Sequence, residues 1–195
     1  MSDLFQEPED ATPLEPEERE GLRPTWVTTR ADLNIAEQDN IDKGAAWAFR
    51  ARKPDLMTVE FVLQLHKRMF GDVWDWAGQY RRTERNIGIA PHLIGIQAGY
   101  LMGDAAYWLE HETYEPTELA VRVHHRLVFI HPFPNGNGRH ARMMADLILR
   151  SLGEPPLSWG GGSLADINNL RRTYVDALRL ADRDQYDALI AFSRS

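Results

Sequence analysis

Apolar residues recur at helical spacing along most of the chain. In "TRADLNIAEQDNIDKGAAWAFRAR", Leu33, Ala36, Ile41, Ala45 and Ala48 fall roughly on one face, which predicts a long helix. "DLMTVEFVLQLHKRMFG" predicts a second, with Thr58 as its N-cap and Val59, Val62, Leu63, His66 and Phe70 as its apolar stripe. Further helices are expected over about 97–111 and 116–130, the latter started by Pro116, and again from about Arg139. Ser163 and Asp166 form a capping box for a helix reaching about Ala181, and a short last helix covers about 184–193. The pattern breaks at "GEPPLSWGGG" and over residues 78–95, "GQYRRTERNIGIAPHLIG". The latter holds three glycines, a proline and β-favouring residues without helical period, and reads as an extended hairpin or ordered loop. No internal repeat is present. The expectation is an all-α bundle with one β-like insertion.

Ahead of the first long helix, residues 1–28 form an acidic arm with prolines at 8, 13, 16 and 24. Pro16 suits a first helical turn there and Gly21 a C-terminal cap. The domain proper is expected over 29–195.

Composition narrows the function. The 195 residues are 43% hydrophobic, a globular composition, with a formal net charge of −7. That charge argues against general binding to nucleic acid or anionic membrane. There is no cysteine, hence no disulfide framework and no thiolate metal site. No stretch approaches the 18 or so apolar residues of a membrane span, and the acidic start "MSDLFQEPED" is unlike a secretory signal. A cytoplasmic protein is expected.

The chemistry concentrates in "IHPFPNGNGRHARMMADLIL", residues 130–149. Asn135, Gly136, Asn137 and Gly138 lie at the entry to a helix, whose first N–H groups lack internal partners. Glycines let several such groups converge, and the helix dipole adds positive potential, so the turn suits phosphate. Arg139 and Arg142, three apart, can reach the same side of the first turn and clamp phosphate oxygens bidentately. His131, just upstream, is placed to accept a proton from an attacking hydroxyl. Taken singly, each residue type here is more often structural. Taken jointly, they are the set that phosphoryl or nucleotidyl transfer needs.

"HPFPNGNGRHAR" resembles the core motif of the Fic family, H-P-F-x-[DE]-G-N-G-R-x-x-R, at His131, Pro132, Phe133, Gly136, Asn137, Gly138, Arg139 and Arg142. "HKRMFGDVWDWAGQYR", residues 66–81, resembles the family's upstream segment, and the "MSDLF" start with "EREGL…TTRADLN…EQDNI" is similar to the subgroup called mobile mystery protein B. The resemblance implies a Fic-type helical bundle with a short hairpin-like flap, and transfer of AMP from ATP to a protein hydroxyl. His131 is then the base; the Asn137–Gly138 region is the anion hole; Arg139 and Arg142 hold phosphates, and Phe133 anchors the loop. Asn86, Ile87, Gly88 and Ile89 occupy the flap that pairs with a target backbone. Asn135 stands where the family has an acid, a neutral and weaker ligand for Mg²⁺.

The resemblance also implies control by a glutamate in [ST]-x-x-x-E-[GN]. Glu20-Gly21 fits the end of that pattern with Pro16 at the Ser/Thr position; Glu37 is the weaker candidate, with Leu33 and Gln38 at its other positions. A separate antitoxin-like regulator of a toxin-like enzyme is the remaining option. Removal of AMP or transfer of another group, and a non-catalytic nucleotide-binding module, are the alternative functions. His124, His125 and His140 lack a carboxylate spaced for a metal site, and Trp74 and Trp76 read as core.

Overall fold

The computed structural model describes residues 14–50, 55–161 and 167–195. The capping box expected at Ser163 and Asp166, and residues 1–13 of the arm, lie outside the described residues. Pro16 opens α1 (Pro16–Arg19), and Glu15 and Glu18 complete a reciprocal capping box. Gly21 follows the C-cap residue Glu20; a Cβ there would fall 2.3 Å from the Asp75 carboxylate and 2.7 Å from the Trp76 ring, so a side chain would require both to shift. The arm lies against the segment after α3, with Arg23 N–H donating to Val73 O and Asp75 N–H to Gly21 O.

α2 (Arg30–Arg50) buries Leu33, Ala36, Ile41 and Ala48 as the periodicity predicts. Two polar residues, Glu37 and Asn40, share that buried face. Asn40 is accounted for at once. Its amide donates to Arg68 O at 2.9 Å and accepts Asp72 N–H at 2.8 Å, closing the end of the next helix. That helix, α3 (Val59–Phe70), is capped by Thr58, whose hydroxyl accepts Phe61 N–H at 3.2 Å. Its buried set is Phe61, Val62, Leu65, His66, Met69 and Phe70, while Val59 and Leu63 are only partly covered. The buried arc is wider than the expected stripe because α2, α4 and α6 all pack on α3.

After a single 3₁₀ turn at Pro91–Leu93 come α4 (Ile94–Glu110), α5 (Pro116–Ile130), α6 (Asn137–Ser151), α7 (Ile167–Ala181) and α8 (Asp187–Ser193). The hydrophobic helix α5 is central: α4, α6 and α8 all pack on it. Its face toward α6 contributes Leu127 and Ile130 to the main core, and Val121 joins Ala177, Ala181 and Leu189 in a smaller one. No helix among the described residues is long and apolar enough to cross a membrane.

Residues 78–90 form an ordered loop, without the ladder of a hairpin. Among the described residues the one β-type contact is an isolated bridge between Leu22 and Trp74. The loop's carbonyls at Thr83 and Ile89 accept from the Arg81 side chain instead of from a facing strand. Its edges are tied to the segment after α5, with Arg81 N–H on Pro132 O at 2.9 Å and Ile89 N–H on Ile130 O at 3.4 Å.

Candidate active site

α5 stops at His131, which adopts a left-handed conformation (φ 53, ψ 60). A non-glycine residue held in such a region costs on the order of 1–3 kcal/mol and persists only where its surroundings impose it. Here the buried Arg81 imposes it, donating from Nε to His131 O at 2.7 Å. Phe133 is fully buried, stacked on His66 at 3.7 Å between centroids and edge-on to His140 at 5.2 Å. Gly78 N–H donates to His66 Nδ1 at 3.0 Å, so the His66 proton sits on Nε2 and is donated to Asn135 O, also at 3.0 Å. The Asn137 amide accepts Phe133 N–H at 2.9 Å and donates to Phe133 O at 2.8 Å. Gly136 turns the chain into α6 at φ 80, where a Cβ would meet the Phe70 ring at 2.6 Å. The first N–H groups of α6 are thereby brought, unpaired within the helix, to the edge of a cavity.

That cavity measures about 550 Å³. Asn135 to Arg139, with Arg142 and Arg171, line it together with the apolar and aromatic residues Trp159, Leu170, Tyr174, Val175 and Phe192. His131 and Ile87 also line it. Arg142 forms no ion pair among the described residues. Its charge instead helps hold His124 down to about 3, second to burial. Arg139 is engaged: Nη1 meets Glu37 Oε2 at 2.7 Å, Nη2 meets Asn135 Oδ1 at 3.3 Å, and the guanidinium lies 5.0 Å from the Phe70 ring centroid. Glu37 is 3% exposed, and its other oxygen accepts Trp74 Nε1–H at 2.8 Å.

Burial first, then the charges of Arg81 and Arg85, push His131 down to about 4, with the Val128 backbone acting in the other direction. Its Nδ1 is buried without a hydrogen-bond partner. The imidazole is therefore neutral near pH 7 and able to take a proton. The other motif-region histidines are structural: His124 shares a hydrogen bond with Tyr174 Oη, His125 meets Tyr186 Oη and Asp182, and His140 meets Val62 O.

The structure thus gathers His131, Asn135, Gly136, Asn137, Gly138, Arg139 and Arg142 around one cavity, with Phe133 beneath them. One detail adds to the sequence expectations and two depart from them. The Asn137 side chain is turned inward onto Phe133, so only its backbone faces the cavity. Asn135 Oδ1 already accepts Gly136 N–H and Arg139, and among the described residues no three His, Asp or Glu converge as metal ligands. The protein's own groups therefore fit a divalent cation poorly. Glu20 is exposed on the turn after α1 and makes no ion pair with Arg142, because Gly21 pins that turn against Asp75, away from the cavity. Glu37 is the carboxylate that reaches a motif arginine, and it takes the first of the two.

Of the flap, Ile87 lines the cavity, Gly88 packs on His131, Ile89 bonds the motif backbone, and Asn86 is exposed. Two residues beside them escaped the sequence reading. Arg81 is one. Arg85, with a side chain 2% exposed, pairs with Glu15 at 2.9 Å and also contacts Glu18 from the arm. The only local signal for either is the basic run "RRTER" in an otherwise acidic chain.

Residues 56–149 match the Fic/DOC family. Over that stretch the chain is similar to the Fic/DOC family. It is 32% identical over 115 residues to protein adenylyltransferase fic-1 of Caenorhabditis elegans, covering 55% of this chain and 22% of that protein. To protein adenylyltransferase Fic of Aedes aegypti it is 33% identical over 144 residues, covering 72% and 28%. The chain spans about a quarter of the length of these curated relatives. Among solved structures, C. elegans Fic-1 superposes with a TM-score of 0.66 at 23% identity, over 90% of this chain and 51% of that one. BepC of Bartonella tribocorum, solved with bound AMPPNP, gives 0.69 at 15% identity over 92% and 97%. The helical bundle is the Fic fold.

Proposed function

We propose that this Fic domain transfers AMP from ATP to a Ser, Thr or Tyr hydroxyl of a protein. The observation that carries the reading is the placement of a neutral His131 beside the N-terminus of α6 and Arg142 in one cavity. The relatives named protein adenylyltransferases support it, as does the AMPPNP held by BepC. The α6 N–H groups and the arginines bind the triphosphate, and the apolar wall at Trp159 and Val175 leaves room for the rest of the nucleotide. The target hydroxyl oxygen attacks the α-phosphorus as His131 takes its proton. The bond from the α-phosphorus to its bridging oxygen breaks, and pyrophosphate leaves with that electron pair. Positive groups at the nest stabilise the charge that develops on it.

Mg²⁺, if used, arrives with ATP and is held chiefly by phosphate oxygens and water, since Asn135 is already engaged. The setting proposed is the cytoplasm, with residues 29–195 as the catalytic domain and the arm regulatory. Restraint comes from within the chain: Glu37 holds Arg139, which a bound triphosphate needs. That pair supports an internal brake over a toxin-like enzyme checked only by a separate regulator.

Incubating the chain with a protein lysate and ATP labelled at the α- or γ-phosphate tests the reading. Label should enter protein from the α position only, and His131→Ala should lower it by about 10²–10⁴-fold while nucleotide still binds. Label from the γ position would instead mean phosphoryl transfer. Nucleotide binding with no label from either would make the chain a binding module.

A further inference from the structure

His131 is faced by charges from two directions. Arg139 and Arg142 come from α6 and share its cavity; Arg81 and Arg85 come from the loop before α4 and act on its imidazole, with the Val128 backbone of α5 behind. The loop pair is not used by the phosphate-binding motif. Arg81 is 2% exposed, and all three arms of its guanidinium are bonded to backbone carbonyls. Nε donates to His131 O at 2.7 Å, Nη1 to Thr83 O at 2.8 Å, and Nη2 to Ile89 O. Its own N–H adds a bond to Pro132 O.

We propose that Arg81 is a positioning residue for the transfer step: it fastens the His131 turn to both ends of the 83–89 loop, so that the base and the loop edge beside it are set as one body. This rests on the AMP-transfer reading above. The geometry gives the reason. His131 sits in a left-handed conformation that its own sequence does not favour, and Arg81 binds the carbonyls on both sides of Pro132, the residue that follows, His131 O by side chain and Pro132 O by backbone. The same planar head receives the start of the loop at Thr83 and its end at Ile89. Between those points Gly88 lies so close that a Cβ would come within 2.6 Å of His131 Cβ and 2.8 Å of Arg81 Nη2. Base, arginine and loop therefore form one packed junction. A lysine ammonium at 81 keeps the charge, yet as a point donor it cannot serve three carbonyls lying in a fork.

The test compares wild type with Arg81→Lys, Arg81→Gln and Gly88→Ala. It measures ATP affinity, α-phosphate label transfer to lysate protein, and the titration of the His131 imidazole by NMR. Positioning predicts that Arg81→Lys and Gly88→Ala lower transfer by roughly 10²-fold, the scale of an ångström of misplacement, while ATP affinity stays within about threefold of wild type. Arg81→Gln should do the same and let His131 titrate at higher pH. If Arg81→Gln fails to fold, Arg81→Lys and Gly88→Ala still decide. Wild-type transfer by Arg81→Lys would overturn the proposal, leaving Arg81 only an electrostatic role. A loss of ATP affinity that matches the loss of transfer would also overturn it. Should wild type itself transfer no label, the AMP-transfer reading fails. The junction is then judged on NMR alone: His131 and loop resonances that move together in Arg81→Lys support it, and unmoved ones sink it.

Discussion

Glu37→Gln is the substitution that most directly separates a brake from a scaffold. Glu37 touches two partners, Trp74 Nε1–H at 2.8 Å and Arg139 Nη1 at 2.7 Å. Glutamine keeps an oxygen for Trp74, whereas alanine would leave that buried N–H unsatisfied at a cost of roughly 1–3 kcal/mol. On the other side the glutamine –NH₂ replaces the oxygen facing Arg139, so both the charge and the acceptor there are lost. A hydrogen bond to a charged group contributes about 1.5–3 kcal/mol, but the Arg139 side chain is 34% exposed, so solvent screening reduces the pair. We take about 1–2 kcal/mol. If bound triphosphate must draw Arg139 away from Glu37, Glu37→Gln should tighten ATP binding by roughly 5–30-fold. Fold stability should fall by roughly 1–3 kcal/mol, because the released guanidinium can reach water while the buried glutamine –NH₂ is left without an acceptor. Titration calorimetry with ATP, a thermal melt and label transfer together read the outcome. In an Arg139→Ala background the gain in affinity should vanish, since both substitutions act through one contact. If Glu37→Gln binds ATP no more tightly and transfers no faster, the brake is not there. If transfer falls while binding weakens, Glu37 holds Arg139 in its working position.

Three further outcomes follow from the structure. Burial holds His124 to about 3 and His131 and His140 to about 4, so the unfolded chain binds more protons than the folded one below their ordinary value of 6.5; stability present above pH 6.5 should be lost as pH falls toward 4, and a melting temperature flat across that window would refute the assignment. Asn135→Asp supplies the anionic oxygen the nest lacks and should lower the Mg²⁺ concentration for half-maximal transfer; superimposable metal titrations of the two proteins would show that position 135 does not touch the ion. Glu15→Gln with Glu18→Gln strands the buried Arg85 guanidinium, which should cost about 2–3 kcal/mol after discounting for the exposed Glu15, and should speed amide exchange over residues 82–89; unchanged exchange would mean the arm does not brace the loop.

How far the sequence reached, and where it stopped, has a physical pattern. α5 was legible to the residue at both ends, because Pro116 fixes its start and an uninterrupted period of apolar residues carries it to Ile130. The turn into α6 was legible because its parts are contiguous and each acts through local geometry, Gly136 through its positive φ and α6 through the start of its backbone ladder. The Asn137 amide was not legible, because it returns four residues to bracket Phe133, a contact that no local pattern marks. Gly21 does end α1 as expected, but its close approach to Asp75 was not legible. Arg81 was out of reach, since its meaning lies in carbonyls up to 50 residues away and an arginine in a polar loop carries no mark of burial. Glu37 is the instructive middle case. It falls on the face of α2 that also carries Leu33, Ala36, Ile41 and Ala48, so periodicity alone places a carboxylate in the core. A buried carboxylate needs a cation. The 50 residues around it offer several, and the motif offers two more, so burial could be inferred while the partner could not. The choice of Arg139 follows only once Trp74 has claimed the other oxygen and turned the carboxylate toward the start of α6.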